Sequence, residues 1–247
     1  MTDLVLTTFF AALLTALATG LGALPFVFVR DLSARWQGRS AALAGGMMLS
    51  ASVFSLSGEA LKRGSPWELA VGLLVGGWFL SASTRLVEGR NWKLSGLSRE
   101  DSRKGILMLV AMSIHSLPEG IAIGVGYATG ELEFGFLVAL AIAVHNIPEG
   151  IAISLPLRAR GVSVARCTFY SVLSSVPQPV AAVPAVIAVS FFQELLPAGL
   201  GFAAGAMIYL VIAEMLPESL ENDNCGPKET AWWLLIGVAL MLVMAVR

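Results

Sequence analysis

Residues 4–29 of the chain carry no charged side chain. A bilayer core about 30 Å thick is crossed by about 20 helical residues, so a run of this length reads as a transmembrane span. Comparable runs follow at 40–58, 66–84, 105–127, 134–157, 167–193, 195–216 and 230–246, the third with Glu68 near its start. Hydrocarbon offers a backbone no hydrogen bonds, and these runs lack the alternation of a barrel strand, so each is predicted to be a helix. The expected fold is therefore all-α and polytopic: eight transmembrane helices forming a single transmembrane domain over residues 1–247. A hydrophobic content of 56%, with only 13% charged residues, is more apolar material than a soluble core absorbs. The chain's surroundings are membrane lipid. Its net charge of −1 and lack of a basic tract argue against a nucleic-acid partner. Cys167 and Cys225 lack the close spacing of a thiolate zinc site. The opening MTDLVLTTFF has no basic region before its apolar stretch and reads as a retained span, not a cleaved signal.

Lys and Arg set the expected orientation. Placing the amino terminus outside puts Arg30, Arg35, Arg39, the basic residues from Arg85 to Lys104, Arg158, Arg160, Arg166 and Lys228 inside. Only Lys62, Arg63 and Arg247 remain outside. The bias predicts both termini outside and a cytoplasmic loop at about 86–104.

Within the fourth and fifth spans lie two nearly identical decapeptides, HSLPEGIAIG from His115 and HNIPEGIAIS from His145. They contain the only two histidines of the chain, each followed four residues later by a glutamate, Glu119 or Glu149. On a helix that spacing stacks each pair about 6 Å apart along one face. Pro118 and Pro148 intervene, and each removes an amide hydrogen and frees a carbonyl one turn back. A carboxylate in mid-membrane costs about 2.5 to 3.5 kcal/mol on insertion scales, so two of them mark a functional site. Short loops make the two helices antiparallel, with their ligand turns at similar depth and able to face one another.

Imidazole and carboxylate together suit a first-row divalent ion better than magnesium or calcium, which prefer oxygen alone. Such an ion would offset the charges of Glu119 and Glu149, and its binding would release protons. Other residues admit two readings each. Gln178, between Pro177 and Pro179 in the sixth span, offers a carbonyl ligand or an interhelical hydrogen bond. Ser116 and Asn146 offer metal contacts or helix-to-helix bonds. Met48 is either a soft ligand or a packing residue, and Glu214 with Glu218 either an exit relay or a solvated helix end. Small residues spaced by four, as at Gly72 and Gly76, Gly120 and Gly124, Gly150 and Ser154, and Gly201 and Gly205, suit close helix packing.

The paired motifs, with AGGMMLSASVFSL in the second span and AAGAMIYLVIAEMLPES in the seventh, resemble the ZIP family of zinc and iron permeases, in its bacterial-type branch. The resemblance implies a ZIP-like bundle in a cell membrane, such as a bacterial inner membrane. Its activity would be the import of zinc, iron, manganese or cadmium into the cytoplasm. The transported metal would bind His115, Glu119, His145 and Glu149, with Met48, Ser116 and Asn146 nearby and Glu214 lining the inward exit. No organic cofactor is implied, and a homodimer is the simplest assembly. Two departures stand out: Gln178 replaces a glutamate common in the family, which favours one metal site over two, and the 86–104 loop lacks the usual histidine cluster. An intramembrane metalloenzyme or a metal sensor is the alternative, although the sequence has no HExxH, no ExxH and no added signalling segment.

Overall fold

The computed structural model describes residues 1–29, 33–88, 101–220 and 225–245. Eight helices in these residues are long and apolar enough to cross a membrane: α1 Thr2–Phe28, α2 Arg35–Arg63, α3 Pro66–Leu86, α4 Leu109–Ala128, α5 Leu132–Ala159, α6 Val164–Phe191, α7 Gln193–Leu220 and α8 Pro227–Met244. The centre of the expected cytoplasmic loop, 89–100, lies outside the described residues, and its flanks continue the helices on either side. Arg30 and Arg247, used above for orientation, also lie outside them.

Charged ends extend the helices beyond the uncharged runs. The second run suggests residues 40–58, yet α2 reaches from Arg35 to Arg63 because its terminal charges find partners. Glu59 pairs with Arg63 one turn on and with Lys62 at 3.3 Å. At the other end Arg39 binds Glu229 at 2.7 Å and lies over the rings of Trp36 and Trp233. Glu68 is accommodated as a cap: its carboxylate accepts from the Ser65 amide at 2.6 Å while the Ser65 hydroxyl accepts from the Glu68 amide at 3.3 Å. Gly130 and Gly161, at φ +81° and +79°, make the tight turns on either side of α5.

The helices pack as two sets of four. α1, α4, α5 and α6 form one set, α2, α3, α7 and α8 the other, and they meet chiefly where α2 crosses α5 and α7 crosses α4. Within each set glycines bring backbones together. A methyl at Gly120 would strike the Gln178 carbonyl of α6, and one at Gly150 the Thr19 carbonyl of α1. Gly205 meets Leu73 of α3 in the same way, so the small-residue spacing is a packing device. α2, α4, α5 and α7 are the most buried, whereas α3 and α8 turn side chains such as Trp67, Trp78 and Trp232 outward.

Irregular turns fall near the centre. Both motif prolines sit inside continuous helices, but α6 breaks at Val176, where Pro177 starts a fresh helical segment. α2 widens into a π turn over Ala51–Leu56 and α7 into another over Val211–Met215. In α2 the Ser57 hydroxyl bonds the Ser52 carbonyl at 2.8 Å and the Ser52 hydroxyl the Met48 carbonyl at 2.7 Å. Such turns recur at functional sites in helical proteins, and the second carries Glu214.

Candidate metal site

Glu119 of α4 and His145 and Glu149 of α5 come together where the two motif helices pack. One ligand atom from each lies within 4.8 Å of the other two, and all three side chains are buried. The closest contact crosses between helices instead of following the i, i+4 pairs: His145 Nε2 is 3.1 Å from Glu119 Oε1. With the carboxylate accepting, Nε2 carries the proton and Nδ1 keeps a lone pair that has no partner. Both oxygens of Glu149 are likewise buried without a partner. Unpaired buried acceptors are costly, and beside the Glu119 carboxylate they make a set of donor atoms suited to a cation.

His115 stands apart from this trio. Its Nε2 lies 2.7 Å from Glu214 Oε2 of α7, in contact but out of line for a hydrogen bond. Glu214 also accepts from the Thr84 hydroxyl of α3 at 3.2 Å. Both residues line a cavity of about 320 Å³ together with Met48, Glu119 and Glu149. The cavity reaches the helix ends that carry Gln37 and Glu218, themselves joined by a 2.9 Å hydrogen bond. It thus leads from the trio's carboxylates to the side of the bundle where Arg35 and Arg39 of α2 lie. At the opposite side Arg63, paired with Glu59 of its own helix, ties α2 to the α4–α5 turn through Glu131 and the Thr129 carbonyl.

The remaining candidates sit elsewhere. Ser116 is buried and donates to the Met112 carbonyl of its own helix at 3.2 Å. Gln178 and Asn146 lie behind Glu119: Gln178 Nε2 donates to Glu119 Oε2, and Asn146 Nδ2 donates to the Thr15 carbonyl at 2.9 Å. Gln178 therefore turns an amide hydrogen toward Glu119, the interhelical hydrogen bond that was one of its two readings. Sequence reasoning overlooked Thr15, whose hydroxyl is 2.6 Å from Gln178 Oε1. A signal was available: Thr8, Thr15 and Thr19 share one face of an otherwise apolar α1, and all three are buried.

Relatives bear on what such a bundle does. Residues 93–245 match the model of the ZIP zinc transporter family. Zinc transporter GufA of Myxococcus xanthus is 38% identical over 95% of this chain and 96% of its own length. Zinc transporter ZIPB of Bordetella bronchiseptica is 36% identical over 92% of the chain and 76% of its own length. A longer Arabidopsis thaliana protein is 40% identical over 92% of the chain, which spans only 36% of it. With the family model covering more than half of the chain and a full-length relative at this identity, the chain belongs to the ZIP zinc transporter family.

Proposed function

We propose that this protein imports divalent metal, zinc foremost, across a cell membrane into the cytoplasm, binding it at Glu119, His145 and Glu149. The observation that carries the reading is the buried trio opening into a cavity that leads to one side of the bundle. Buried acceptors without partners suit a transient cation, and the cavity gives it a way in or out. His115, Met48, Glu214 and Glu218 line that way and would hand the ion along. The carrier works without an organic cofactor, with both termini outside, in a membrane such as a bacterial inner membrane, and as a homodimer. Transport proceeds by alternating access, with the motif-bearing set of helices shifting against the other four. The cavity reaches the side assigned to the cytoplasm, and at the other side Arg63 joins α2 to the α4–α5 turn.

Uptake into proteoliposomes tests this, with zinc, cadmium, iron and manganese offered in turn. The intact protein should accumulate zinc, and His145→Ala and Glu149→Ala should abolish uptake. Zinc affinity should fall as pH is lowered, because protons compete for the imidazole and the two carboxylates. Metal bound without flux for any ion would overturn the carrier reading.

A further inference from the structure

Behind Glu119 runs a chain of hydrogen bonds whose direction is fixed by elementary donor and acceptor counting. A backbone carbonyl only accepts, so the Asn146 atom 2.9 Å from the Thr15 carbonyl is its amide nitrogen. That same nitrogen lies 3.3 Å from the Gln178 side chain, so the atom it meets there is the oxygen, Oε1. The Thr15 hydroxyl reaches this oxygen at 2.6 Å, with the Ala12 carbonyl at 2.7 Å as its alternative acceptor. Asn146, joined by the Thr15 hydroxyl when its single proton is turned that way, keeps Oε1 toward α1. Nε2 is thereby turned toward Glu119 and donates to Oε2. All of these side chains are at most 2% exposed, and the Gln178 backbone is pressed against Gly120 with no room for a methyl between them.

We propose that Gln178, oriented through Asn146 and Thr15, is a positioning residue that restricts Glu119 to one-point coordination and so sets which divalent ions the site accepts. This rests on the metal-carrying reading above. With Oε2 engaged by the amide, a metal can reach Glu119 only at Oε1, once His145 Nε2 gives up the hydrogen bond it makes there. Zinc is satisfied by four ligands and a monodentate carboxylate. Manganese and calcium, which favour six or more oxygens and often a bidentate carboxylate, lose a donor they need. The neutral amide serves selectivity by occupying an oxygen atom instead of contributing one.

The test measures dissociation constants for zinc and manganese by titration calorimetry on the purified full-length protein, alongside its melting temperature. The variants are Gln178→Met, Thr15→Val and Thr15→Ser. Gln178→Met frees Oε2 and should narrow the preference for zinc over manganese by about tenfold. Thr15→Val should narrow it by about threefold, and Thr15→Ser, which keeps the hydroxyl, should restore it. A purely structural role would lower the melting temperature and leave the ratio unchanged. A preference unmoved in both Gln178→Met and Thr15→Val, with zinc still bound, overturns the proposal. Should Gln178→Met not fold, the Thr15 pair decides it alone. An intact protein that binds neither ion overturns the metal-carrying reading, and this proposal with it.

Discussion

The two decapeptides are nearly the same in sequence and quite different in what surrounds them. In the α4 copy the histidine, His115, faces the cavity beside Glu214, and the glutamate, Glu119, has both oxygens occupied. In the α5 copy the histidine, His145, is sealed from the cavity and turned to Glu119, and the glutamate, Glu149, has both oxygens open. The residue after the histidine differs in kind as well: Ser116 folds back on its own helix, while Asn146 reaches α1 and α6. A repeat thus supplies the same backbone and donor atoms twice, and the neighbouring helices decide what each copy does. α7 claims His115, and α6 claims Glu119.

Removing each histidine in turn should bring out this asymmetry most strongly. His145→Ala should weaken zinc binding on the order of 100-fold, because it deletes a member of the trio. His115→Ala should weaken it about tenfold, through the cavity and not the trio. Calorimetric titration would read both, and equal losses would break the distinction. Next in size are the glycines that follow the glutamates. Gly120→Val and Gly150→Val should each destabilise by about 3 kcal/mol through overpacking against a neighbouring backbone. Thermal unfolding in detergent would register both, but only Gly120→Val, which pushes on Gln178, should alter the ratio of zinc to manganese affinity.

Exchanging each glutamate for glutamine should have opposite signs in metal-free protein. Glu119→Gln places an amide against at least one existing donor and should cost about 2 kcal/mol. Glu149→Gln removes a buried carboxylate that has no partner, and should raise stability by about 1 kcal/mol while abolishing the stabilisation that zinc gives. Melting curves with and without zinc would separate the two effects. The smallest contrast lies at the next position along. Ser116→Ala should fall within about 0.5 kcal/mol of the parent, and Asn146→Ala should cost about 1 kcal/mol or more by removing its bonds to the Thr15 carbonyl and Gln178 Oε1.

The eight helices were legible because lipid leaves a chain few options: long uncharged runs must be helical, and their count follows from the charges between them. The motif residues were legible because carboxylates and histidines in such runs have no cheap explanation. Helix ends were less so, since α2 is lengthened by Glu59, Arg63 and Arg39, whose partners lie nearby in one case and on α8 in another. The π turns at Ala51–Leu56 and Val211–Met215 left no mark in the hydropathy pattern. Nor could local spacing show that Glu119 pairs with His145 instead of with His115, because that choice depends on how two antiparallel helices sit side by side. Gln178 was visible as a polar residue in an apolar run, but the direction of its amide depends on Asn146, 32 positions away, and on Thr15, 163 positions away.

That direction has its origin in a carbonyl of the main chain. Side chains along the relay can be exchanged, but the Thr15 carbonyl is common to every amino acid and no substitution deletes it. The reference point for which end of Gln178 looks at the carboxylate therefore lies in the main chain, and point mutation reaches only the side chains that read it. Moving that reference point would mean displacing α1 bodily, so this part of the site is inherited with the architecture and not with the letters.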